Sequence, residues 1–225
     1  SCVITNEEGW YKKALDTDLA RPKFAIMNPE ITYTLPDYQT QCGCADIMMH
    51  TMERYFVLED TMEITDKIAQ DVMKNVMKYA KILKKDPENY EARAEIMWCG
   101  SLSHNGLTGC GTCGGDWATH LIEHELGGMF DVAHGAGLAA VWGSWARYVM
   151  DEKPERFAQF AVNVMGVKES EDVKSTALKG IEAVEDFYRM IEMPTNLKEL
   201  GIDPTDEQIK DMAMKATNHD TQQLG

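Results

Sequence analysis

The sequence is short of basic residues and of long apolar runs, and both shortages narrow what the chain can do. Its 22 lysines and arginines stand against 37 acidic residues, which gives a net charge of −15. Such a polyanion is repelled by nucleic acid and by anionic membranes, so we expect neither as a partner. No apolar run approaches the length of a membrane span, and the start, SCVITNEEGW, has no signal-peptide pattern.

The 225 residues contain six cysteines beside 15 methionines. A chain of this length has room for a sizeable core without disulfide bonds. Together with the oxidisable methionines, this favours a reducing compartment, so we expect a cytoplasmic protein. The close pairs Cys42/Cys44 and Cys110/Cys113 lack the spacing of a zinc finger. We therefore expect these cysteines to be free thiols.

Hydrophobic periodicity predicts a mainly α-helical protein after a short β-type start. CVITN and KFAIMNP are predicted to be two strands joined by a long turn, and PEITYTLPDYQ an extended connector. After residue 40 strands and helices do not alternate, which excludes a βαβ sheet domain. The predicted helices are 38–55, a helix through 85 that begins at Thr61 or Thr65, 91–102, 116–129, 135–149, 155–164, 171–193 and 205–217.

Details of the helix ends and of the strands carry further expectations. Asp116 is a suitable N-cap for the fourth helix, and the glycines 127 and 128 predict that this helix ends or bends early. Two isolated strands do not make a stable sheet. We therefore expect residues 1–36 to be residual strands of a sheet whose other strands belong to a domain that this sequence lacks, and residues 37–225 to form an all-helical domain. Both ends of the sequence look cut.

Four residues are arranged as the ligands of a single metal ion. Asp46 and His50 are four apart, which places them one turn apart on the same helix face. His120 and His134 follow in a second short segment, DWATHLIEHELGGMFDVAHGAG, which also contains His124. Three imidazoles and one carboxylate suit a borderline divalent metal such as zinc or ferrous iron, and ligands on neighbouring helices commonly build such sites. By spacing alone, a metal site and ordinary helix-stabilising pairs are equally supported.

Two other features of the sequence are not assigned to the predicted site. The run from Gly109 to Gly114 spells G-x-G-x-x-G, but a helix and a loop precede it, whereas the dinucleotide fingerprint needs a preceding strand. We therefore predict a loop. His104 and His219 lie in polar surroundings and are not assigned to the site.

The amino-acid sequences of these segments resemble those of the iron-containing alcohol dehydrogenase family, with the butanol-dehydrogenase-like branch as the nearest match. The resemblance covers nearly the whole chain and is most specific in GDWATHLIEHEL and DVAHGAGLA. It implies the dehydroquinate synthase-like fold of that family, in which residues 1–36 are residual strands of a Rossmann-like cofactor domain and residues 37–225 are the all-helical metal-binding catalytic domain. It also implies that Asp46, His50, His120 and His134 are the metal ligands and that His124 is a non-ligand histidine of the active site.

The resemblance further implies an oxidoreductase that transfers hydride between NAD(P) and a primary alcohol or aldehyde, with Fe²⁺ as the metal and Zn²⁺ as the alternative. It implies that NAD(P) binds mainly to the domain outside this sequence, that the parent protein is a homodimer, and that this part alone is inactive. His124 is expected to relay a proton or position substrate, or else to orient a ligand. Asn105 and Gly106 are expected to contact cofactor or substrate, and Trp117 and Phe130 to line the substrate pocket.

Two other classes of function fit the same ligands. One is a non-catalytic helical domain that binds or stores metal, and the other is a metal-dependent hydrolase that activates a bound water. Nicotinamide-dependent alcohol oxidation would distinguish the dehydrogenase from both.

Overall fold

The computed structural model describes residues 2–15, 17–59 and 62–224, and most of them are helical. The chain begins with the antiparallel strands β1 (Cys2–Asn6) and β2 (Tyr11–Leu15), in which Cys2 pairs with Leu15 and Asn6 with Tyr11. The helices are α1 (Asp37–Tyr55), α2 (Glu63–Leu83), α3 (Tyr90–His104), α4 (Ala118–Phe130), α5 (His134–Val149), α6 (Pro154–Asn163), α7 (Val173–Met190) and α8 (Asp206–Ala216). The prediction of a mainly α-helical fold after a β-hairpin is confirmed.

Two local predictions near the N-terminus are wrong. The second strand is YKKAL and not KFAIMNP, because a tight turn at residues 7–10 reverses the chain directly after β1. The segment predicted to be an extended connector forms a 3-10 helix at Pro29–Thr34, whose first turn is capped by Asn28 through a hydrogen bond from the amide of Glu30. Helix α2 begins before Thr65, and Thr61 lies outside the described residues.

Helix α1 lies at the centre of the fold and packs against α2, α3, α4 and α5. It begins directly after Pro36 and is buried on nearly all sides, which explains why polar residues such as Gln41, Thr51 and Glu53 are buried along with its apolar ones. Large side chains from α1, α5, α6 and α7 complete the core: Met48, Met52, Tyr55, Trp142, Phe160, Ile181 and Tyr188. A buried central helix holds its polar side chains in fixed positions, as a site between helices requires.

Helix α4 starts and ends differently from the prediction. Its N-cap is Trp117, in the left-handed conformation at φ 64°, and Asp116 instead accepts a hydrogen bond at 3.3 Å from the amide of Ala118. The glycines 127 and 128 do not end the helix, which continues to Phe130. The G-x-G-x-x-G run lies in the loop between α3 and α4, as predicted.

The described cysteines are free thiols, as expected: Cys42, Cys44 and Cys99 are buried, and Cys110 and Cys113 are exposed. None of the described helices is both long and apolar enough to cross a membrane.

Candidate metal centre

Four side chains from three helices meet around one oxygen of Asp46. The Oδ1 atom of Asp46 lies 3.4 Å from Nδ1 of His50, 3.5 Å from Nε2 of His120 and 3.6 Å from Nε2 of His134. Asp46 and His50 stand one turn apart on α1, His120 lies in the first turn of α4, and His134 is the first residue of α5. The structure therefore brings together all four residues that the sequence singled out.

The centre contains polar atoms that are buried without a partner. Oδ1 of Asp46 and Nε2 of His120 are both inaccessible to solvent, and neither atom has a hydrogen-bond partner. Buried polar atoms are nearly always paired, so each exception needs a cause. A divalent cation between these atoms would satisfy both, and the carboxylate and imidazole donors suit iron or zinc. The residues present therefore fit a metal ion.

A buried glutamate holds His120 from the side opposite to Asp46. Oε1 of Glu53 accepts a hydrogen bond from Nδ1 of His120 and another from its backbone amide, both at 3.0 Å. The second bond satisfies one of the free amides in the first turn of α4. Since Nδ1 donates to Glu53, the ring of His120 is fixed with Nε2 toward Asp46.

His134 has a matching carboxylate. Its Nδ1 is hydrogen-bonded to Oε2 of Glu123, a side chain with no exposed surface on α4. Metal-binding histidines usually donate their second ring nitrogen to a carboxylate in this way, which sets the tautomer and the ring orientation. Two of the three imidazoles around Asp46, those of His120 and His134, thus have the hydrogen bond to a carboxylate that is usual for metal-binding histidines.

Burial and neighbouring charge set the protonation of the metal-free centre. Burial opposes ionisation of Asp46, but the three imidazoles around it lower the pKa of the carboxyl to about 2. Burial lowers the pKa of His50 to about 3. Burial also works against protonation of His120, but Asp46 and Glu53 outweigh it and raise its pKa to about 9. A proton and a metal ion are therefore alternative cations for the space between His120 and Asp46.

His124 lies beside this group and not within it. Its ring centroid is 5.6 Å from that of His134 and 6.4 Å from that of His120, and the side chain is buried. Burial lowers its pKa to about 4, so the ring is neutral at pH 7. A neutral imidazole one helical turn beyond His120 can accept or donate a proton at the edge of the site.

Aromatic rings form one wall of the centre, and one of them was not expected from the sequence. The His104 ring lies 4.3 Å from that of His50, and Trp117 lies 5.8 Å from His50 and 5.1 Å from His120. His104 was not assigned to the site from the sequence; it is exposed, and its ring contact with His50 places it at the edge of the centre. The expected cofactor contacts, Asn105 and Gly106, follow it directly as the C-cap of α3 and a left-handed glycine. Phe130 ends α4, ten residues after His120 and thus about 15 Å farther along the helix axis.

Sequence reasoning missed Glu53 and Glu123, although the signal was present. Asp46, His50 and Glu53 follow the i, i+4, i+7 pattern of one helix face, and Glu123 stands three residues after His120. Both glutamates are buried in the structure. A buried carboxylate at helical spacing from a candidate ligand is therefore the pattern to look for.

Comparison with known proteins gives the same family as the residues do. Residues 40–224 match the model of the Fe-containing alcohol dehydrogenase family, C-terminal. The chain is 36% identical over 201 residues to NADH-dependent butanol dehydrogenase A of Clostridium acetobutylicum, covering 89% of this chain and 51% of that protein. It is 33% identical over 224 residues to the NADPH-dependent aldehyde reductase of Escherichia coli K12, covering 99% and 57%.

The fold agrees with a solved structure of the same kind. The crystal structure of NADH-dependent butanol dehydrogenase A from Thermotoga maritima superposes with a TM-score of 0.92 at 36% identity, covering 99% of this chain and 56% of that one. This chain thus spans about half the length of the relatives that it matches. On the family match and these identities, the chain belongs to the Fe-containing alcohol dehydrogenase family and corresponds to its C-terminal part.

Proposed function

We propose that this chain is the metal-binding catalytic part of an alcohol dehydrogenase or aldehyde reductase, which interconverts a primary alcohol and its aldehyde with NAD(P) as the hydride acceptor or donor. The observation that carries the proposal is the group of three imidazoles within 3.6 Å of one buried, unpaired oxygen of Asp46. The named activities of the relatives, butanol dehydrogenase and aldehyde reductase, support the reaction class.

In this proposal Asp46, His50, His120 and His134 hold one divalent metal. The family match favours Fe²⁺, whereas the intrinsic affinity of such ligands is higher for Zn²⁺, so metal supply decides between them. When bound, the metal supplies Lewis acidity toward the oxygen of an alcohol or aldehyde, which favours hydride transfer in either direction. The absence of a thiolate among the four ligands distinguishes the group from most structural zinc sites.

The surrounding residues have separate tasks in the proposed reaction. The carboxylates of Glu53 and Glu123 hold the rings of His120 and His134, so that little reorganisation accompanies each turnover. Trp117 covers the His50 and His120 rings and keeps water from that side. The neutral ring of His124 accepts or returns the hydroxyl proton of the substrate, or positions that hydroxyl.

We propose that the nicotinamide cofactor is held mainly by a part of the parent protein outside these 225 residues. Among the described residues the sheet is a single antiparallel hairpin, and the G-x-G-x-x-G run lies between two helices. Neither offers the strand–loop–helix arrangement that binds a pyrophosphate. Asn105 and Gly106, exposed beside His104, are the proposed contacts of this chain with cofactor or substrate. The chain alone is then expected to bind metal without turnover.

The test of the proposed function uses the full-length parent protein. We expect it to reduce NAD(P)⁺ with a primary alcohol such as butanol and to lose this activity in the His120→Ala variant. Loss of metal with retention of the fold, measured by elemental analysis and circular dichroism, would trace the effect to the centre. Hydrolysis without nicotinamide would favour the hydrolase, and a metal-loaded parent with neither activity would favour the non-catalytic metal-binding domain.

A first prediction concerns Glu53. Replacing Glu53 by glutamine removes the acceptor charge opposite Nδ1 of His120 and is expected to weaken metal binding about 10- to 100-fold. Competition of the chain with a chromophoric chelator for Zn²⁺ measures this change. Glu91→Gln, which alters an acidic residue of α3 hydrogen-bonded to Tyr79, is the control and should leave the affinity unchanged. Equal affinities for the Glu53 variant and the unmodified chain would contradict the role of Glu53.

A further inference from the structure

The β-hairpin reaches the metal centre through one lysine. Nζ of Lys12, on β2, lies 3.3 Å and 3.2 Å from the two carboxylate oxygens of Glu123. The Lys12 side chain is 14% exposed and that of Glu123 is 0% exposed. A fully buried carboxylate without partners is strongly unfavourable, and Lys12 and His134 supply those partners. Glu123 therefore joins the hairpin to one of the four proposed ligands.

The direction of these hydrogen bonds determines which nitrogen of His134 is available. An ionised carboxylate only accepts hydrogen bonds, so Nδ1 of His134 donates to Glu123. Nε2 is then the ring nitrogen left free to bind a metal, and it faces Oδ1 of Asp46 at 3.6 Å. A carboxylate oxygen and a ring nitrogen facing each other across this distance are both potential ligands of a cation between them. The salt bridge from Lys12 holds both carboxylate oxygens of Glu123 in the position from which one of them accepts the bond from His134.

Gly127 and Gly128 of α4 leave the space that Lys12 and the hairpin backbone occupy. A Cβ atom on Gly127 would lie 2.6 Å from Nζ of Lys12, and one on Gly128 would lie 2.7 Å from the carbonyl oxygen of Trp10. Because these positions lack side chains, β2 lies directly against α4. On the other side of the hairpin, Nζ of Lys215 on α8 donates to the carbonyl of Gly9 at 2.8 Å. The position of Lys12 is therefore built into the packing of the hairpin.

We propose that Lys12 is a positioning residue for the metal centre: by holding Glu123, it fixes the ring of His134 with Nε2 directed at the metal. The inference rests on the proposed function, since it requires His134 to be a ligand. Glu123, His124 and His134 also lie close enough together to hold a metal of their own. The ammonium group of Lys12 already occupies both oxygens of Glu123 and opposes a second cation there.

The neighbouring lysine provides a matched control. Lys13 is also on β2 and also pairs with a glutamate of α4, Glu125, at 3.6 Å. We expect Lys12→Met to weaken Co²⁺ binding by the 225-residue chain about tenfold, and Lys12→Arg to recover most of that loss. Lys13→Met is expected to change the Co²⁺ affinity less than about twofold, because the exposed ion pair of Lys13 is weak and does not include a residue of the metal centre. Competition with a chromophoric chelator measures all four proteins.

A second measurement separates positioning from loss of the fold. In the metal-free chain, long-range ¹H–¹⁵N NMR reports the tautomer of His134, and we expect the Nδ1–H form to lose population in Lys12→Met and not in Lys13→Met. Equal loss of Co²⁺ affinity in the two methionine variants, or no loss in Lys12→Met, would overturn the role of Lys12 but not the metal centre. Failure of the unmodified chain to bind Co²⁺ would overturn the metal centre itself, and the role of Lys12 with it.

Discussion

Replacing Asp46 by asparagine is expected to reduce the affinity of the chain for Zn²⁺ by about two to three orders of magnitude. Binding of structural zinc is worth roughly 10–16 kcal/mol over four ligands, or about 2.5–4 kcal/mol for each. Asp46 contributes the only carboxylate of the four, and its Oδ1 is the atom around which the three imidazoles are arranged. An amide of the same shape keeps the packing but lacks the negative charge. Competition with a chelator of known affinity gives the change.

The control for this variant is an exposed aspartate of the same charge. Asp71→Asn removes a carboxylate on α2 that forms a surface pair with Lys74 at 2.6 Å. We expect its Zn²⁺ affinity to equal that of the unmodified chain, because the charge is remote and screened by solvent. If Asp46→Asn and Asp71→Asn bound Zn²⁺ equally well, the ligand assignment of Asp46 would be wrong.

Replacing Gly135 by alanine is expected to lower the free energy of unfolding by about 3 kcal/mol, the upper range for overpacking. A Cβ atom at this position would lie 2.0 Å from the carbonyl oxygen of Cys42 and 2.6 Å from its carbonyl carbon, both backbone atoms of α1. Relief of the clash requires α5 to move away from α1. Because His134 immediately precedes Gly135, we expect the same variant to bind metal more weakly. Urea unfolding followed by circular dichroism measures the stability.

Another helical glycine shows what the substitution does where there is room. Gly43 lies in α1 and is exposed, and a Cβ atom added to it would meet no neighbouring side chain or helix within 4 Å. Gly43→Ala is expected to be neutral or to stabilise the chain by up to about 1 kcal/mol, the usual gain in helix propensity. A Gly135→Ala variant as stable as Gly43→Ala would show that α5 does not approach α1 as closely as described.

The helices were predictable from the sequence because their apolar residues recur at helical spacing. All eight predicted helices exist, and the G-x-G-x-x-G run lies between two helices, as predicted. The second strand was missed because YKKAL is mostly polar and exposed, so it lacks the alternation that marks a strand. Its contacts with α4 and α8 hold it in place, and such tertiary contacts leave no local pattern.

The four proposed ligands of the candidate centre were predictable from the sequence, the supporting glutamates were overlooked despite their helical spacing, and Lys12 had no signal in the sequence. The spacing of Asp46 and His50, and the resemblance of the segment around His120 and His134, were enough to name four residues that the fold brings together. The roles of Glu53 and Lys12 depend on which helix and strand lie beside α4. Lys12 is 111 residues from Glu123, and one sequence alone does not indicate such a pairing.

The structure explains why glycine occupies positions 135 and 137, directly after His134: both positions are closely packed. Gly135 lets α5 meet the backbone of α1, and a Cβ atom on Gly137 would lie 2.8 Å from Cγ of Glu123. The two glycines that follow His134 therefore place its ring between Asp46 and Glu123. Histidine next to glycine in HGAG thus reflects close packing around a ligand as much as the chemistry of the ligand itself.

The most direct test of the metal centre is X-ray absorption spectroscopy of the zinc-loaded 225-residue chain, purified without a histidine tag. The four-ligand assignment predicts one zinc per chain, bound by three imidazole nitrogens and one carboxylate oxygen at roughly 2.0–2.2 Å. A sulfur ligand at about 2.3 Å would point to the cysteines instead. That result, or a spectrum with fewer than three imidazoles, would contradict the centre built on Asp46, His50, His120 and His134.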